Sequence, residues 1–274
     1  MLVFSANVQD SPPASDEPVK LIRLDHVALA AHDTSDALRF LTGRLGGRVI
    51  FGGESAGFRP MQVWLGTERG DGMPVELLEP WEVTRNDFLA RFLARHGAGP
   101  HHLTFKVSDI DGALRDVRAA GLHPGNIDLS DPEWKEAFLL PKEAHGTVVQ
   151  LAESHGHPET RRELLTHVAQ HGPNMQPRWW TDPTPATGAR ALLRRVVLRT
   201  PVLAEARAFF AGLLGGEVER ETADAVDLVW RRGARITLEE HAELPAGVDR
   251  LEVEGLDVEQ VVAGTRFVPG PHRA

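Results

Sequence analysis

One pattern recurs along this chain and constrains its fold more than any other feature. Leu24-Asp25-His26-Val27-Ala28-Leu29-Ala30 reads as a buried strand, and Asp33, Thr34 and Ser35 offer caps for a helix. Ala37, Leu38, Leu41 and Leu45 form that helix's apolar stripe, and Gly46-Gly47 ends it. The same order returns downstream. His101-His102-Leu103-Thr104-Phe105-Lys106-Val107 is the strand, Ser108 the cap, Ile110, Ala113, Leu114 and Val117 the stripe, and Gly121 the stop. A shift of 76 residues places His26 on His102. A third copy starts at residues 194–199, continues through Thr200-Pro201 and the stripe Ala206, Phe209, Phe210, Leu213 and Leu214, and ends at Gly215-Gly216. A clipped fourth copy runs from Val248 through Val253 into residues 256–263. Such self-similarity marks repeated supersecondary units.

Both units of the first half continue with three strands. They are expected at 48–51, 61–66 and 74–78, then near His123 and at 137–140 and 147–152. One β-α-β-β-β unit leaves a sheet face uncovered, so two must pair. The expected fold is therefore α+β, built of paired βαβββ modules. Two modules fill residues 21–154, and a degenerate, partly truncated pair fills 191–274. Residues 85–96 read as a helix joining the first two modules. Residues 155–190 carry a helix at 159–171 and then Pro173, Pro177, Pro183 and Pro185, and read as a linker. Residues 1–20 read as a polar leader.

The chain has no cysteine, which excludes disulfides, thiolate metal sites and cysteine nucleophiles. Strand alternation puts His26 on one face with Leu24 and Ala28, Glu76 with Leu78, His102 with Thr104, and Gln150 with Ala152. The repeat matches His26 with His102 and Glu76 with Gln150, so pairing the modules about a pseudo-twofold axis would converge all four. Two imidazoles, one carboxylate and one amide oxygen suit a single divalent ion such as Zn, Ni, Co, Mn or Fe. Gln62, Trp64 and Phe138, on third strands, are candidate substrate-binding residues, whereas His101 and His145 are expected outside the set. In the second half Arg195, Thr237 and Val248 are expected at the places of His26, Glu76 and His102, so that copy has lost the site. The formal net charge is −9 and no Lys/Arg run is present, which argues against nucleic acid. No apolar run reaches about 18 residues, so no membrane span is expected. A cytoplasmic monomer or homodimer with a small-molecule partner follows.

Asp25-His26-Val27-Ala28, Val75-Glu76-Leu77-Leu78-Glu79-Pro80 and residues 101–111 together resemble the vicinal-oxygen-chelate superfamily of glyoxalases, bleomycin resistance proteins and dioxygenases. Within it they are most similar to methylmalonyl-CoA epimerase-like proteins, over about residues 21–154. The resemblance implies paired βαβββ modules around a divalent metal, with metal positions at His26, Glu76, His102 and Gln150. It also implies glutamates for proton transfer where this chain has Gln150 and Gln62, and an amide accepts no proton at neutral pH. The expected function is a metal-dependent lyase, isomerase or dioxygenase acting on a small oxygen-bearing substrate. The alternative is a bleomycin-resistance-like binding protein without catalysis.

Overall fold

The computed structural model describes residues 22–154, 161–176, 179–180, 190–230 and 233–271. The expected leader, and residues 155–160, 177–178 and 181–189 of the expected linker, lie outside them. The first module runs β1 (Ile22–Ala30), α1 (Ser35–Arg39), β2 (Arg48–Gly53), β3 (Gly57–Gly66) and β4 (Gly72–Trp81). After α2 (Phe88–His96) the second module repeats this order as β5 (Gly99–Val107), α3 (Ile110–Ala119), β6 (Gly125–Asp128), β7 (Trp134–Leu139) and β8 (Val148–Ser154). Their strands form one sheet in the order β6-β7-β8-β5-β1-β4-β3-β2, with β1 and β5 antiparallel at its centre. Reading outward from that seam, each module places its first strand parallel to its last, as a pseudo-twofold axis requires.

Local chemistry explains why the helices start where they do. Glu79 accepts from the Thr34 backbone N–H at 2.9 Å, and Glu153 accepts from that of Ile110 at 2.7 Å. Each glutamate stands three residues beyond its module's candidate site position, so the strand that carries the site also anchors the helix N-terminus. Asp109 adds a side-chain cap to Gly112 at 2.9 Å. Helix α1 closes in a wide turn, with Leu45 N–H bonded to Phe40 C=O at 3.0 Å, and Gly46 at φ +69° ends it.

The segment after β8 does more than connect. Helix α4 (Arg161–His171) buries Leu165 and Val168 against Ile50 and Trp64, and β9 (Asn174–Gln176) pairs with β2 as the ninth strand. The second half then forms its own sheet from β10 (Leu192–Thr200), α5 (Leu203–Arg207), β11 (Glu217–Glu221), β12 (Ala225–Val229), β13 (Arg235–Glu240), β14 (Gly247–Glu254), β15 (Gln260–Val262) and β16 (Thr265–Pro269). Its order is β11-β12-β13-β10-β14-β16-β15. The last module has no helix among its described residues. Where the repeat predicts one, at 256–263, β15 folds back onto β16 through Ala263 and Gly264, both at positive φ, a two-residue turn that favours a hairpin.

The two sheets share one apolar core. Val27, Leu29, Val75, Leu77, Leu103 and Phe105 of the first sheet join Val196, Leu198, Ile236, Leu238, Leu251 and Val253 of the second in one buried cluster. Phe105 lies 5.4 Å from Trp230 and 6.4 Å from Phe210, ring centre to ring centre, and Phe40 lies 5.1 Å from Phe267. Gly146, at φ +84°, touches the loop before β14, where any Cβ would collide with the Ala246 carbonyl. His26, Glu76, His102 and Gln150 face away from this core.

Candidate metal centre

Two β-bulges build the centre. Between β1 and β5 the register slips once at Asp25 and once at His101, the residue before each candidate histidine. A bulge turns two successive side chains towards one face, which ordinary alternation forbids. It also reverses the expected placement of Leu24, which joins the core with Val27 and Leu29 instead of sharing the His26 face. Asp25 thereby reaches its neighbour, with Oδ2 3.0 Å from His26 Nδ1, and His101 Nδ1 lies 2.9 Å from His102 Nδ1. His101 thus stands beside the cluster, in contact with His102 but not among its three residues.

His26, Glu76 and His102 come from three adjacent strands and each offers one ligand atom within 4.8 Å of the others. His26 Nε2 lies 3.3 Å and His102 Nε2 3.6 Å from Glu76 Oε2. All three residues are buried, at 1%, 7% and 6% exposure for His26, Glu76 and His102. Gln62 donates from Nε2 to Glu76 Oε1 at 3.1 Å, leaving Oε2 to face the imidazoles. Thr104 Oγ1 lies 2.9 Å from His26 Nε2 and donates to Gln150 Oε1 at 2.5 Å. Gln150 is therefore one hydroxyl away from the triad.

Phe138 sits opposite Gln150 in the ladder, its ring 6.4 Å from that of His102. Trp64 goes elsewhere. It is buried under α4 with Ile50, Leu165 and Val168, and its Nε1 donates to Thr67 C=O at 3.3 Å.

The electrostatics are those of a buried ion pair. Burial opposes charge on His26, but Glu76 and Asp25 outweigh it and raise its pKa to about 9. Burial likewise opposes ionisation of Glu76, yet His26, His102 and the Gln62 amide hold it near about 2. His102 is driven well below the ordinary histidine range, first by burial and then by His101, and burial lowers His101 to about 4. His102 Nε2 is a buried polar atom with no hydrogen-bond partner, turned towards the Glu76 carboxylate. Such an atom costs roughly 1–3 kcal/mol unless something satisfies it. A divalent cation between the three donors would do so and suits their nitrogen and oxygen character. The fit is good.

Sequence reasoning missed four residues of this centre: Asp25, His101, Thr104 and Glu136. Glu136, on β7, accepts from Gln150 Nε2 and from Trp134 Nε1, both at 2.7 Å. The adjacent polar pairs Asp25-His26 and His101-His102, repeat-related, were the available signal for the first two.

The second sheet keeps the geometry and changes the chemistry. Bulges recur at Arg194 and Asp249. Val197 pairs with Thr237 and Arg250 just as Ala28 pairs with Glu76 and His102, so Arg250, rather than Val248, occupies the His102 place. The bulge leaves one residue of β14, Asp249, unpaired between Arg250 and Val248. Arg195 bonds Asp227 and Thr237 at 3.0 Å and pairs with Glu252 at 3.3 Å, while Arg250 pairs with Glu239 at 2.6 Å and Asp249 at 3.0 Å. Glu240 caps α5 at Leu203 N–H, 2.8 Å away, as Glu79 and Glu153 cap theirs.

Comparison with known proteins finds several that are similar to this chain. An uncharacterised protein of Bacillus subtilis (strain 168), YqjC, is 26% identical over 145 residues, which are 52% of this chain and 99% of that one. A methylmalonyl-CoA epimerase variant from Streptomyces coelicolor, in complex with 2-nitronate-propionyl-CoA, is 27% identical with a TM-score of 0.43, covering 50% of this chain and 96% of its own. A hypothetical protein from Staphylococcus aureus shares the fold across both halves, with a TM-score of 0.60 at 10% identity over 91% of this chain and 100% of that chain. Among the described residues no helix is long and apolar enough to cross a membrane. Residues 25–138 match the family model of the Glyoxalase/Bleomycin resistance protein/Dioxygenase superfamily.

Proposed function

We propose that the first sheet holds one divalent metal ion through His26, Glu76 and His102, with Gln150 as fourth ligand, and that the protein is an enzyme acting on a small substrate that chelates the ion through oxygen. The observation that carries this reading is His102 Nε2, buried, unpartnered and 3.6 Å from a carboxylate that also faces His26. A bound divalent ion would polarise a chelated oxygen or acidify a bound water.

The protein's own groups do the rest. Asp25 holds the Nδ1–H of His26 so that Nε2 points inward, the arrangement that orients a ligating imidazole. His101 does the same for His102. Gln62 bonds one Glu76 oxygen and leaves the other for the ion. Because Gln62 and Gln150 are amides, neither takes a proton from the substrate. The reaction is accordingly of the lyase, isomerase or dioxygenase kind in which the ion carries most of the activation. Phe138, half-buried beside His102, offers an apolar wall for the substrate body.

Elemental analysis of purified protein, after exposure to Zn, Ni, Co, Mn and Fe in turn, tests the centre. One ion per chain is expected for the natural sequence and none for His26→Ala or His102→Ala. Natural protein that takes up no ion would end the proposal. Full ligand binding without turnover of any substrate would place the chain instead with the binding proteins of the superfamily.

A further inference from the structure

We propose that Glu136 is a positioning residue whose task is to turn Gln150 so that its oxygen, not its nitrogen, faces the metal position; this rests on the metal centre proposed above. A carboxylate can ligate through either oxygen, but a primary amide has one end that accepts and one that only donates. An amide ligand is useful only if something fixes which end points inward.

The geometry supplies that fixing group. Gln150 Nε2 donates to Glu136 Oε2 at 2.7 Å, and its Oε1 lies 2.5 Å from Thr104 Oγ1, on the side of His26. Glu136, as a carboxylate, can only accept, so the amide end against it must be the NH2. Glu136 is itself held. Trp134 Nε1 donates to the same oxygen at 2.7 Å, and the Lys106 ammonium lies 3.5 Å from the Trp134 ring centre.

The first module contains the mirror of this pair. There the carboxylate, Glu76, faces the imidazoles, and the amide, Gln62, stands behind it. In both modules the partner lies on the third strand, 14 residues before the inward group. Carboxylate and amide have exchanged places between modules, so each pair keeps one donor–acceptor contact and presents one oxygen to the centre.

The test measures Co²⁺ affinity and the Co²⁺ visible spectrum for Glu136→Leu and Glu136→Gln, each alone and combined with Gln150→Glu. In the natural background Glu136→Leu should weaken binding roughly 10- to 100-fold, as removing an outer-shell partner does. Glu136→Gln should lose less, because its amide oxygen can still accept from Gln150, and it serves where the leucine variant fails to fold. With Gln150→Glu either oxygen can ligate, so removing Glu136 should leave affinity unchanged or raised, with the Co²⁺ spectrum unaltered. An equal loss in both backgrounds would make Glu136 merely structural and overturn the proposal. So would no loss in the natural background. Natural protein that binds no Co²⁺ fails the metal reading itself, before any variant is compared.

Discussion

Metal uptake near neutral pH should expel one proton, and His26 is its source. In the metal-free protein both ring nitrogens of His26 face carboxylates, Asp25 at Nδ1 and Glu76 at Nε2, and its pKa is raised to about 9. Nε2 cannot serve a cation while it carries a proton, so proton and metal compete for it. At pH 7, two units below that pKa, only about one molecule in a hundred has the nitrogen free. Affinity should therefore be about 100-fold lower than its high-pH limit, or ~2.7 kcal/mol. It should rise about tenfold per pH unit from 6 to 8 and level off near 9. His102 is held neutral, and Glu76, lowered to about 2, is already ionised, so neither adds a proton. Calorimetric titration with Co²⁺ at pH 7, in buffers of different ionisation enthalpy, counts the protons released. A heat independent of buffer, together with an affinity flat from pH 6 to 8, would refute the ion-pair account of the empty centre.

Phe105→Ala should cost about 3–5 kcal/mol, because its fully buried ring packs on Phe210 and Trp230 of the second sheet. Urea unfolding should still show one transition for both halves, and two separated transitions would contradict a shared core. Acid should destabilise the metal-free protein between pH 6.5 and about 4. The unfolded chain takes up protons there at His101 and His102, whose folded pKa values are lowered, to about 4 for His101, while His26 is protonated in both states. His101→Phe should flatten part of that fall in the urea midpoint, and an unchanged slope would exclude His101 as a source. Arg195→Ala should leave metal stoichiometry at one per chain and cost about 1–3 kcal/mol by stranding Asp227 and Glu252. Mass spectrometry under native conditions and denaturant titration check the two halves of that statement.

Much of the architecture could be read from the repeat, because strand, cap, stripe and glycine stop recur at fixed intervals and one module cannot bury its own sheet. The same symmetry brought His26 and His102 together across β1 and β5. What alternation could not give was the bulges. They place Asp25 and His101 on the site face, send Leu24 to the core and put Arg250 at the His102 place, and a one-residue insertion leaves no mark in hydrophobic period. Trp64 illustrates a second limit. Its strand position is suitable for the site, but α4 covers it, and that docking comes from the segment read as a linker. Glu136 is one of many carboxylates on the strands, and nothing in its local sequence sets it apart. Its fixed interval from Gln150, equal to that of Gln62 from Glu76, was legible only as a numerical coincidence until the hydrogen bonds gave it a meaning.

The persistence of the bulges through both sheets suggests what the repeat preserves. A bulge beside the central seam crowds polar side chains onto one partly buried face, and such a face needs cationic charge to balance its carboxylates. In the first sheet Asp25, Glu76 and Glu136 surround a place where a metal ion would supply it. In the second, Asp227, Glu239, Asp249 and Glu252 are matched by Arg195, Arg199, Arg250 and Arg266. A guanidinium tied to the backbone cannot be exchanged for substrate or lost to a chelator, and it leaves no open coordination position. The second sheet thus solves the same electrostatic problem by covalent means, which favours stability and removes chemistry. One sheet can then carry a reactive centre while the other serves as its fixed half of the core.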